Sequence, residues 1–172
     1  MTMAEMTEPT SLPSAVPALP RRIGLRFALA ALALVELTDG IAGLILLYGD
    51  MSGLGAIVKL NLVAQPVLAL AALIFALIGH VRHAIPALGA IVLLAWLKFM
   101  ALIPDGFDYG NLFVNLDNST HAFIFPLLGA CAMTIAARGE RLWVATMLVA
   151  IPTVINLFNA LSFLIGVTIY GF

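Results

Sequence analysis

Five apolar runs, at about residues 23–48, 55–79, 84–103, 120–137 and 142–169, are separated by charges or turn residues. Each approaches or exceeds the roughly 20 residues that a helix needs to cross bilayer hydrocarbon. A chain of 172 residues can hide one such run in a soluble core, but not five. Because hydrocarbon offers backbone groups no hydrogen-bond partner, the spanning segments must satisfy their own, and runs of this length do so as α-helices. The expected fold class is all-α: a polytopic transmembrane bundle of five spans. Composition agrees, with 63% hydrophobic and 10% charged residues against about 25% charged in an average soluble domain.

Basic residues orient the spans. Arg21, Arg22 and Arg26 precede the first, Arg82 lies in the second turn, and Arg138 and Arg141 flank the fourth. The positive-inside rule then places the N-terminus in the cytoplasm and, after five spans, the C-terminus outside a cell membrane. Asp50, Asp105, Asp108 and Asp117 all fall in the opposite loops. Residues 1–20 carry four prolines, two acids and no base, and read as a disordered cytoplasmic tail. Arginines directly before a run of spanning length make the first helix an uncleaved anchor rather than a signal peptide. Residues 21–172 form one five-helix domain. Its outer loop, 104–119, is apolar at Phe107, Tyr109, Leu112, Phe113 and Val114, as an interfacial segment or lid would be. No repeat stands out by inspection.

Two carboxylates, Glu36 and Asp39, interrupt the first run. A carboxylate at the centre of a spanning helix costs roughly 2.5–3.5 kcal/mol on insertion scales, so such groups face a partner, a cavity or the bundle interior. At 1.5 Å per residue they lie about 18 and 14 Å below the outer helix end, while Asn61 and Gln65 on the second helix come at about 9 and 15 Å. The spacings i,i+3 and i,i+4 keep each pair on one helix face. Asn156 and Asn159 fall at about 20 and 15 Å on the fifth helix. Asn61, Gln65, Asn156 and Asn159 are therefore the candidate ligand-binding amides. Pro66 and Pro152 each remove a backbone donor near that level.

Glu36 and Asp39 are the candidate catalytic or charge-binding groups, with His121 and Lys98 as secondary acid–base candidates. Histidine is the side chain that exchanges a proton most readily near neutral pH, and a lysine can turn inward or snorkel to the headgroups. Lys59 lies about 160° around its helix from Asn61 and is expected to snorkel. His80 and His83 bracket Arg82 as a solvated basic end. Cys131 is the only cysteine, so there is no intrachain disulfide and no thiolate metal site. No metal-ligand spacing, phosphate loop or nucleophile motif is present, and no cofactor or metal is expected. A net charge of -1 provides no footprint for nucleic acid.

Three readings follow. The acids bind or transport a small cationic or proton-coupled ligand in an outward-facing pocket; they perform acid–base chemistry on a lipophilic substrate, as in an isomerase or hydrolase; or they hold a partner in a membrane complex. The first asks for the least, because buried acids most often mark ion or substrate pathways. Partners are membrane lipid, a small molecule or ion, and either a second copy or a complex subunit.

Overall fold

The computed structural model describes residues 19–47, 55–102 and 112–171. Residues 1–18, 48–54 with Asp50, 103–111 with Asp105, Phe107, Asp108 and Tyr109, and 172 lie outside them. Six α-helices are present: α1 Leu19–Leu47, α2 Ala56–Leu77, α3 Val81–Leu102, α4 Leu112–Ser119, α5 Phe125–Arg138 and α6 Leu142–Tyr170. A π-helical turn, Thr120–Ile124, joins α4 to α5. Five stretches are long and apolar enough to span a membrane: Ile23–Leu46, Ala56–Leu77, Val81–Met100, Val114–Arg138 and Leu142–Ile169.

Two boundaries differ from the sequence expectation. Helix α1 begins at Leu19, inside the expected tail, with Pro20 in the first turn where a missing N–H costs nothing. The expected loop at 104–119 is helical from Leu112, so the fourth span is 25 residues rather than the shortest of the five. The reason lies at Pro126, which cannot donate to the Ala122 carbonyl four residues back. The chain passes that point in a π turn, with Phe125 N–H bonding Thr120 O, and the Trp96 indole donates to Ala122 O at 2.9 Å in place of the proline. A buried carbonyl that would have ended the helix is thereby satisfied.

Tight turns join α2 to α3 and α5 to α6. Helix α2 ends in a Schellman motif, with Gly79 at φ +88°, His80 N bonding Phe75 O and Gly79 N bonding Ala76 O. Helix α5 ends at Gly139, φ +74°. Arginines cover both ends: Arg26 of α1 donates to the Ala76 and Leu77 carbonyls, and Arg82 of α3 donates to Ala136 and Ala137. Each guanidinium meets the negative end of a helix dipole.

This likeness extends along the chain. Buried Leu62, Gln65, Ala69, Ala72 and Ala76 of α2 recur sixty positions later as buried Ala122, Phe125, Gly129, Ala132 and Ala136, with Pro66 and Pro126 between them. Hairpin α1–α2 and hairpin α3–α5 are thus built alike and run in the same sense. Small residues set the crossings. A Cβ on Gly89 would come within 2.6 Å of Met133 Cγ and 3.2 Å of Gly129 O. Helix α3 touches α1, α2, α5 and α6, and the core of Leu29, Ile85, Leu88, Ile91, Val149 and the surrounding alanines lies toward the arginine end.

Candidate functional site

The acids meet their amide because α1 and α2 approach closely beside them. A Cβ on Gly40 would stand 3.0 Å from Pro66 N and 3.2 Å from Gln65 Cγ. Gly40 therefore packs on a nitrogen that carries no hydrogen, and Gln65 is brought against α1. Its Nε2 donates to Asp39 Oδ2 at 2.9 Å and to Glu36 Oε2 at 3.3 Å, so the two carboxylate oxygens lie within about 6 Å of each other. Helix α6 closes the third side: Thr153 Oγ1 donates to Glu36 Oε1 at 2.7 Å. Gln65 and Thr153 are buried, Glu36 is half-buried and Asp39 is exposed.

No lysine or arginine nitrogen lies within 4 Å of either carboxylate among the described residues. Lys98 is half-buried and makes no ion pair within 4 Å among the described residues. Lys59 is half-buried and has no part in the site.

Asn61 shares the buried face of Gln65 one turn further from the arginine end, yet it does not reach the acids. It is fully buried, and neither Nδ2 nor Oδ1 has a hydrogen-bond partner. An unpaired buried amide costs about 1–3 kcal/mol.

Asn156 and Asn159 do not join the carboxylates either. Both are exposed and face the fourth span: Asn156 Oδ1 is 3.1 Å from His121 Nε2, and Asn159 Nδ2 is 3.5 Å from Asp117 Oδ1. The imidazole sits between Phe99 and Phe125, with ring centroids 5.5 and 4.6 Å away, and its Nδ1 is 2.9 Å from Asp117 O and 3.6 Å from Asp117 Oδ2. With Nδ1–H given to a carbonyl, a neutral ring accepts the Asn156 amide N–H at Nε2, whereas a charged ring donates to Asn156 Oδ1. This outer cluster is separate from the acid pair, although Asn156 lies one turn beyond Thr153 on α6.

Sequence reasoning missed Thr153. Its signal was available: Thr153, Asn156 and Asn159 recur every three residues, and 11 residues from the start of α6 put Thr153 about 16 Å along, close to the level of Glu36. Among the described residues no three His, Cys, Asp or Glu side chains gather at one point. No protein family model, curated protein or solved structure matches this chain.

Proposed function

We propose that the bundle binds or transports positive charge, as a proton or a small cationic ligand, on Glu36 and Asp39. The observation that carries this reading is the attachment of both carboxylates to one neutral nitrogen, Gln65 Nε2, with no basic nitrogen within 4 Å among the described residues. Two negative charges no more than about 6 Å apart repel by at least about 3 kcal/mol at an effective dielectric of about 20. Gln65 and Thr153 orient the oxygens but bring no charge, so the site is completed by a cation or a proton. The exposure of Asp39 leaves that group open to an arriving ligand. In the orientation that the positive-inside rule favours, it lies in the outer half of the membrane.

The test is reconstitution in liposomes holding a pH-sensitive dye, with sodium, potassium or tetraphenylphosphonium gradients imposed. Saturable binding or coupled flux is expected, weakened about a hundredfold by Glu36→Gln, the factor that corresponds to about 3 kcal/mol. The same flux in the parent and in the Glu36→Gln/Asp39→Asn double variant overturns the reading.

A further inference from the structure

At the arginine end, α1 and α2 enclose a groove of about 360 Å³ lined by Ile23, Arg26, Phe27, Ala30, Ala76 and Leu77. Its volume falls within the roughly 300–1,000 Å³ of small-molecule sites. The two alanines make a low floor, and the walls face outward, with Ile23, Phe27 and Leu77 all exposed. Arg26 is the only charged group in the lining among the described residues. Two of its nitrogens are committed to the end of α2, while the third, Nη1, lies over Gly79 and has no hydrogen-bond partner among the described residues. The surrounding charge is one-sided: Arg26, Arg82, Arg138 and Arg141 gather at this end, and Glu140 is its one acid among the described residues.

We propose that this groove is a binding site for an anionic phospholipid of the leaflet at the arginine end. The phosphate sits on Arg26 Nη1 and an acyl chain lies along Ile23, Phe27 and Ala30. A lipid is favoured over a free anion because every other lining residue is apolar: inorganic phosphate would find one donor group and lose its water, whereas a lipid brings a chain for the groove. An anionic headgroup is favoured over a zwitterionic one by the excess of arginine, since each basic residue near a membrane surface adds about 1 kcal/mol, or about fivefold, to the attraction of anionic lipid. The site is independent of Glu36 and Asp39.

The full chain in detergent is titrated with short-chain phosphatidylglycerol, phosphatidylcholine of the same chain length, or inorganic phosphate. Thermal unfolding and native mass spectrometry are the readouts. Phosphatidylglycerol is expected to raise the melting temperature and persist as a one-to-one adduct, with the other two doing neither. Arg26→Gln, which keeps an N–H donor for α2, is expected to weaken the adduct about fivefold. Ile23→Glu, which sets a negative charge on an exposed wall, is expected to abolish it. Arg82→Gln alters the equivalent clamp on α5, outside the groove, and is expected to weaken the adduct less than Arg26→Gln does; an equal loss in the two arginine variants overturns the site. Equal effects of the two lipids, an equal effect of inorganic phosphate, or an undiminished adduct in Ile23→Glu overturns the site. Because Ile23 is exposed, that variant decides the matter even if Arg26→Gln fails to fold.

Discussion

The arginine half of the bundle and the half beyond Gln65 are built to different rules. In the first, Ala33, Ala69, Ala72, Ala76, Ala84, Ala132, Ala136 and Ala145 are completely buried, and two arginines tie neighbouring helix ends together. Small residues let the backbones come close, and dispersion and packing do the rest where no hydrophobic effect drives helices together. In the second half, polar groups stand beside the buried Val58, Leu62, Ala122 and Phe125. Asn61 is buried without a partner, His121 stands among Phe99, Phe125 and Asn156, and every residue of α6 from Asn156 to Ile165 is exposed. One half draws the helices together; the other leaves the Asn61 amide without a partner among the described residues.

Substitutions in the two halves should therefore differ in size and even in sign. The largest expected effect is at Gly89, where valine must displace Met133 and press on the Gly129 backbone; unfolding in detergent should show a loss of about 3 kcal/mol. Gly40→Ala, at the seam between the halves, pushes against the Pro66 backbone. It should cost about 2 kcal/mol and weaken the proposed cation binding, since it parts Gln65 from the acids. Arg82→Met removes the donors to Ala136 and Ala137 and should lower stability by about 1.5 kcal/mol. Asn61→Leu should act the opposite way: with no bond to lose, it raises stability by about 1 kcal/mol. A loss there as large as that of Gly89→Val would mean that Asn61 is engaged in the membrane and that the contrast fails. Asn156→Ala, on the exposed face of α6, should fall within about 0.5 kcal/mol of the parent and sharpen the contrast from the other side.

Much of this was legible in the chain. Helix existence follows from length and hydropathy, and depth follows from 1.5 Å per residue, so Gln65 could be matched with Glu36 and Asp39 before any contact was known. Azimuth was less legible. Asn61 and Asn156 have the right depth and chemistry, but which neighbour each side chain meets depends on how α2 and α6 are rotated, and apolar residues all round these helices leave rotation unmarked. Thr153 carries the same ambiguity: its depth and spacing are marked, but its facing is not. The start of the fourth span escaped notice because Asp117, Asn118 and Ser119 resemble a loop, and only the Trp96 indole meeting Ala122 O makes a continuous helix past Pro126 intelligible.

By itself the sequence determined that five apolar helices form, that the arginines collect at one end, and that two carboxylates are carried into the first span, since each of these depends on local composition and residue rise. Tertiary structure decided the rest: the joining of both acids by Gln65 alone, the closure by Thr153, the isolation of Asn61, the separate cluster around His121 and the matching of the two hairpins. These depend on how closely helix backbones approach, and that distance is set across the bundle by pairs such as Gly40 with Pro66 and Gly89 with Gly129, whose partners are far apart in the chain.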